Sequence, residues 1–374
     1  MSEGLHEPIE PLNDVVRIAD VEFSQYFHPA PDHHCPCGSG RQSRGCHLGQ
    51  EQRWVATRPP PLLTGPRTGY ANPGCYARRS NDCDDKLTRE HFMTDDVLDT
   101  ISHDGKVIIV EGASWQNKAE RSKTIGRQGL STRMLCHRHN SALWPLDKMA
   151  AEFFRYLVED QLDIFKYLGN DRRSEFSRGF VMASGPAFEL WLLKVIWGAI
   201  ESGTMEIDGS PAYRFRLGVS TEQLAEILWR GADWPPTWGM YMLLDRDNDQ
   251  PIITKSARLR LANMSSEILG GHVQIAGIEF LMSFETPPVR RLYRPHGLYF
   301  MRRGFPVTSW KSVVFAWPDL DHLDTLIVSG APPSEDFTVP PNPRAASFHH
   351  GIVEGSLNVR SVPQPPIVAT DDTI

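Results

Sequence analysis

All six cysteines of this chain fall within its first 136 residues, at Cys35, Cys37, Cys46, Cys75, Cys83 and Cys136, and four of them stand within three residues of a histidine. Thiols dispersed through a core behave as small inert hydrophobes. Thiols clustered with histidines, in a chain whose first thirty residues lack a basic start followed by an apolar run, point instead to metal ligation, with disulfides disfavoured. Such clustering constrains the N-terminal third to close around ions as well as around apolar side chains. Buried, inert thiols are the plain alternative, and the spacing argues against them.

The length of 374 residues, with 40% hydrophobic and 10% aromatic content, allows at least one large core and two or three domains. No run approaches the roughly 18 apolar residues that a membrane span requires, so no membrane partner and a cytoplasmic location are expected. A net charge of −7 excludes a uniformly basic nucleic-acid binder but leaves room for a local basic patch.

The expected fold class is α+β, divided as follows. Residues 1–30 form a weakly ordered N-terminus with a docking element around Val21 to Phe27, and 31–52 form a Cys-rich module. Residues 53–73, dense in Pro and Gly, form a linker open to proteolysis. Residues 74–147 form a second Cys-rich domain containing a strand at Val107 to Glu111. From 148 to 330 the pattern is helical and then β. Met149, Phe153 and Leu157 mark one helix after Pro145, a second begins at Pro186 and is apolar round most of its circumference, and a third begins with Thr221 as N-cap. Short strands between turn residues follow from Trp238, in an antiparallel arrangement. Residues 331–374, rich in Pro, form a disordered tail.

The segment CPCGSGRQSRGCHLG spaces Cys35, Cys37, Cys46 and His47 as C-x-C-x8-C-H. Four soft or borderline donors around a Gly-Ser-Gly turn suit a closed tetrahedral ion. The segment resembles the SEC-C motif, with Ser43 where an aromatic is common and Arg41 and Arg44 in place of lysines. The resemblance implies a structural Zn2+ and a module that contacts proteins or nucleic acid.

Three further fragments stand in order: GCYARRSNDCDDKLTREHF, VIIVEGASW and LSTRMLCHRHNSALWPLD. They resemble the parts of an HNH nuclease, in which a hairpin ends in an acidic residue and a histidine, and a helix follows from a cysteine knuckle. The resemblance implies a ββα domain with a second structural Zn2+ on Cys75, Cys83, Cys136 and His139, a general base at His91, and Mg2+ or Mn2+ on Glu90 and Asn140. Hydrolysis of a phosphodiester needs that base and that cation. The stretch containing Lys118, Arg121, Lys123, Arg127, Arg133 and Arg138 lies where a DNA or RNA backbone would pass. Two departures stand out: the middle asparagine falls near Ser131 or Thr132, and Cys75 and Cys83 are seven residues apart where two are usual.

The order of CYxxxxxxC, TREHF, GxxW, LCHRHNSALxPLD and ELWLLK is also similar to an uncharacterised bacterial family, which names no substrate. Asp147 reads as a first-turn partner of a helix dipole, with metal ligation a secondary possibility. The run RRLYRPHGLYFMRR (290–303) mixes arginines with aromatics and suits either outward-facing strand residues or a single-strand binder. Two functions follow from the resemblance: a metal-dependent endonuclease, or a non-catalytic zinc protein that binds nucleic acid or a protein partner. The enzyme needs Glu90, His91 and Asn140 to converge on an open cation site; the binder needs only closed zinc sites.

Overall fold

The structure, a computed structural model, describes residues 16–19, 31–32, 41–49, 54–102, 106–109, 123–158, 177–207, 210–242, 256–264, 267–286, 292–294, 296–303, 309–318 and 325–327. The fold is mixed helix and sheet. Its strands run in chain order as β1 (Val16–Ala19), β2 (Leu87–His91), β3 (Lys106–Ile109), β4 (Lys123–Gly126), β5 (Ser131–Cys136) and β6 (Ser177–Ser184), then β7 (Glu206–Ile207), β8 (Ser210–Pro211), β9 (Arg216–Leu217), β10 (Gly239–Met242), β11 (Ala257–Met264) and β12 (Glu267–Ile275), and finally β13 (Ile278–Ser283), β14 (Leu292–Tyr293), β15 (His296–Arg303), β16 (Ser309–Ala316) and β17 (Thr325–Ile327). The α-helices are α1 (Asp95–Thr100), α2 (His137–Ala142), α3 (Trp144–Val158), α4 (Gly185–Glu201) and α5 (Thr221–Arg230).

One sheet has the order β1-β6-β16-β15-β17; the larger has β14-β10-β13-β12-β11-β3-β4, with β9 also on β12. Helix α4 packs against strands of both sheets and against α3 and α5. Its sequence requires that position: residues Gly185 to Ile200 are all buried, and a helix apolar on every side can only be a core element. Pro186 in its first turn and Ser184, whose side chain accepts from the Ala187 N–H, set its start. At Gly198 a Cβ would come within 2.8 Å of Phe92, so the missing side chain lets the end of β2 lie directly on the helix.

Several expectations need correction. The third helix is capped by Ser220, whose oxygen accepts from Gln223 N, and Thr221 is its first helical residue. Among the strands expected after Trp238, β12 and β13 form a hairpin and need no correction; Ala276 and Gly277 in its turn both take positive φ (53° and 91°), as a tight hairpin turn requires. Residues 54–63 pack on the core, so this part of the segment is a strap and not a free linker. Trp54, Val55, Ala56 and Leu63 are buried, Ala56 N donates to Trp317 O (2.8 Å), and Leu63 N donates to Trp229 O (2.8 Å). The boundary drawn at 147 also disappears, since one apolar core runs from Leu63 to Trp317 through both sides of it. Among residues 1–30 the element that docks is β1, paired antiparallel with β6; Val21 to Phe27 and the tail 331–374 lie outside the described residues. No helix among the described residues is long and apolar enough to cross a membrane.

Candidate metal centre and the ββα unit

Strands β2 and β5 pair antiparallel, with Leu87 opposite Cys136 and His91 opposite Ser131. Helix α2 follows β5 without a gap, and its first-turn donors are satisfied by the segment before β2: His137 N donates to Lys86 O (2.7 Å) and Arg138 N to Asp84 Oδ2 (2.8 Å). The chain therefore forms a hairpin and a helix, with 39 intervening residues of sequence (92–130) between the two strands.

At the Cys136 end, Cys75, Cys83, Cys136 and His139 are all buried, and their donor atoms lie within 4.8 Å of one another. Among the described residues this is the one convergent group of His, Cys, Asp or Glu donors. His139 Nδ1 is 3.1 Å from Cys136 Sγ and 3.8 Å from Cys75 Sγ. Donors about 2.0–2.3 Å from a common tetrahedral centre would be separated by about 3.5–3.8 Å, so the cradle has the size of one zinc ion. The other ring nitrogen faces Ser80 Oγ (3.4 Å), whose hydroxyl donates to Ala77 O (2.8 Å). This leaves Nδ1 as the lone-pair nitrogen that a ligand histidine needs.

The seven-residue gap between Cys75 and Cys83 is absorbed by a 3-10 turn at Arg78–Ser80, ended by Asn81 in the left-handed region (φ 51°). Asn72 ties the loop: its amide donates to Asp84 O and Asp85 O (both 3.0 Å), and its oxygen accepts from Gly74 N (3.0 Å). Behind the loop the buried Asp82 carboxylate accepts from Thr68 N (3.1 Å), Arg138 Nε (3.0 Å) and Arg230. Trp229 closes the cluster from water, with its ring 4.6 Å from that of His139 and its Nε1 donating to His139 O (3.1 Å).

Hydrogen bonds from Cys75 and Cys83 concentrate charge on Cys136, whose thiol is held far below its usual range. Conversely, Cys136 pushes the other two up, Cys83 to about 11. Without a cation only one of the three sulfurs ionises readily, whereas a bound ion would take all three as thiolates. The donor set therefore fits a metal ion, and its chemistry suits zinc, which would supply tetrahedral cross-linking and no reaction.

The His91 end is arranged differently. Alternation along β2 turns Glu90 inward and leaves Arg89 and His91 on the outer face beside Ser131 and Arg133. Glu90 is 6% exposed and meets Lys194 of α4, which is 1% exposed. The Lys194 ammonium lies 2.6 Å from Glu90 Oε1, 2.9 Å from Asp147 Oδ1 and 2.8 Å from His91 O. Thr94 Oγ1 bonds Asp147 and accepts from Trp191 Nε1 (2.9 Å), completing a buried network. Burial alone would pull the lysine pKa down, but Asp147 and Glu90 outweigh it and raise it above its ordinary value. Burial likewise pushes the Glu90 carboxyl up, against the attraction of Lys194.

The three residues expected to share an open cation site do not converge. Glu90 points into the core, His91 points to the opposite face, and the Asn140 amide donates to Thr88 Oγ1 (2.9 Å) and Arg89 O (3.0 Å), clasping helix to strand. His91 is held below its usual pKa by burial, with Nε2 3.6 Å from Asp95 Oδ1. Of the expected phosphate contacts, Arg127 pairs with Asp95 and Asp99 and Arg138 with Asp82, so both are committed to carboxylates; Arg133 is exposed. Lys118, Arg121 and the Lys123 side chain lie outside the described residues.

For the N-terminal module, Cys46 and His47 are buried with Sγ 3.2 Å from Nδ1, while Cys35 and Cys37 lie outside the described residues. Val55 N donates to His47 O (2.7 Å) and Val55 bridges to Trp317, which fixes this turn to the end of β16. Within 290–303, Arg294 is a buried partner of Glu189 (2.9 and 3.0 Å) and not a surface contact.

Lys194 was absent from the sequence expectations, although its signal was available. A lysine inside a largely apolar, buried helix needs a carboxylate partner, and Glu90 and Asp147 are carboxylates in the motifs already singled out. No protein-family model, curated protein or solved structure matches the chain.

Proposed function

We propose that the chain is a non-catalytic zinc protein that binds nucleic acid, built on an HNH-like ββα unit whose cation position is filled by its own lysine. Lys194 carries this reading. Its ammonium sits against the inward carboxylate of β2, where an HNH enzyme would hold its catalytic metal, and is enclosed by Glu90, Asp147 and the His91 carbonyl. A divalent ion at the same place would have to displace a buried, doubly paired ammonium. In this reading Cys75, Cys83, Cys136 and His139 hold one structural zinc, and the SEC-C-like Cys35, Cys37, Cys46 and His47 hold a second, in a module available to a protein partner in the cytoplasm. Arg89 and Arg133, opposite one another on the outer face of the hairpin, offer guanidinium groups to a phosphate backbone.

The endonuclease reading has one observation in its favour: His91 stands at the strand end with a half-buried imidazole, which burial biases toward the neutral form that a general base requires. The two readings separate in one experiment. The full chain is incubated with single-stranded and duplex DNA and RNA, with and without Mg2+ or Mn2+. Salt-sensitive binding without cleavage is expected. Metal-dependent cleavage that His91→Ala abolishes, with binding and zinc content unchanged, would replace this proposal with the nuclease.

A further inference from the structure

A cavity of about 460 Å3, within the range of small-ligand sites, is lined in part by Arg79 of the Cys75–Cys83 loop, and nothing above uses it. Its lining includes Arg79, Tyr213, Arg216, Glu201 and Glu222, together with Thr221 at the start of α5. Arg79 belongs to the 3-10 turn that closes the metal loop, and that turn packs on α5. Arg79 and Arg216 are exposed and have no carboxylate partner among the described residues, unlike Arg67, Arg127, Arg138, Arg230 and Arg294. Tyr213 is 54% exposed, one of three exposed large hydrophobic residues among the described residues. Its ring lies over Gly203, where an added Cβ would touch it at 3.5 Å.

We infer that this cavity binds a nucleotide unit, as a free mononucleotide or as part of a single strand. An aromatic ring supported from below and open above is a stacking platform for a base. Two unpaired guanidinium groups and the positive end of a ten-residue helix on the same rim suit a phosphate. The two carboxylates in the lining disfavour a bare polyanion. They suit a ligand that also carries donors, as the exocyclic amino groups of adenine and cytosine do. The inference deepens the nucleic-acid reading by placing its recognition site away from the hairpin face.

The test uses the full zinc-loaded chain. AMP and CMP are titrated by calorimetry, a fluorescein-labelled mixed-sequence single strand by anisotropy, and inorganic phosphate serves as the reference anion. Tyr213→Ala should weaken mononucleotide and single-strand binding about 5- to 100-fold, with Tyr213→Phe near wild type. Arg79→Ala and Arg216→Ala should each weaken both, with unchanged melting temperatures. Strand binding that responds to Arg89→Ala and Arg133→Ala but not to Tyr213→Ala would overturn the cavity while leaving the broader reading intact. Tyr213-dependent AMP binding without strand binding would uphold the cavity and remove nucleic acid as its source. Phosphate binding as tightly as AMP would overturn the stacking argument.

Discussion

The two ends of the β2–β5 hairpin bury polar groups in opposite ways. At the Cys136 end three thiols and an imidazole converge, and their hydrogen bonds run to one another, to main-chain N–H groups and to Ser80. At the Glu90 end two carboxylates converge on an ammonium that the chain itself supplies from α4. Buried ionisable groups persist only when they are paired or coordinate a metal. The first cluster has donors that need an ion from outside. The second already contains its cation and has no need of another. One end of this hairpin thus gathers donors of a kind that could hold a metal ion, while the other pairs its carboxylates with a covalently attached charge, and site chemistry does not follow from the fold.

The largest expected effect comes from removing the ion that the first cluster is proposed to hold. Elemental analysis of the purified chain should give two zinc ions, one for this cluster and one for the N-terminal module, and Cys136→Ser should retain a single ion. Structural zinc is worth about 10 kcal/mol or more in small zinc-dependent folds. Strong chelation or Cys136→Ser should therefore lower the melting temperature further than any other change proposed here. Full occupancy after Cys136→Ser, or an unchanged melting temperature on chelation, would remove the metal from this end.

Next in size is Lys194→Met. It leaves Glu90 and Asp147 facing one another without a cation, and losing one partner of a buried ion pair costs about 3–5 kcal/mol. Zinc content should stay at the wild-type value, which distinguishes the two ends. Adding Glu90→Gln should restore much of the loss, because the remaining charge, on Asp147, is one-fifth exposed and bonded by Thr94. Should Lys194→Met instead be neutral and acquire Mn2+ binding at Glu90, the lysine would be a removable plug and the catalytic reading would gain ground.

The legibility of these two ends in the sequence differed for a physical reason. The metal ligands announce themselves as rare residue types at fixed spacing, and Cys75, Cys83, Cys136 and His139 converge although the first gap is seven residues long, since a 3-10 turn can absorb the excess. Glu90 and His91 were readable as a pair but not as two faces: strand alternation, which separates them, applies only once β2 is known to be a strand. Lys194 lies 104 residues beyond Glu90, so no local pattern could reveal their meeting. The apolar circumference of α4 did forecast a core helix. The Pro- and Gly-rich strap was misread because composition reports the absence of regular structure and not the absence of packing, and Trp54 and Leu63 supply that packing.

A third charged pair calibrates the comparison at its lower limit. His272 Nδ1 lies 3.4 Å from Glu279 Oε1 across the β12–β13 hairpin, with both side chains partly exposed. The hydrogen bond from His272 holds the Glu279 carboxyl below its ordinary value of 4.5; burial opposes it, and the charges of His272, Arg258 and Arg260 assist it. Because the folded pKa is depressed, the stabilisation is present above the unfolded value and is lost as pH falls through the folded one. Solvent screening keeps it below about 1 kcal/mol. Glu279→Gln should therefore be slightly less stable than wild type near neutrality, and urea titrations of the two proteins should converge as pH is lowered past about 4. Lys194 itself behaves in the opposite sense, since its raised pKa contributes stability that is lost as pH rises through the folded value. A Glu279→Gln deficit of several kcal/mol, or one that widens in acid, would show that a half-exposed pair can act as strongly as the buried one, and the contrast drawn between buried and exposed charge in this molecule would fail.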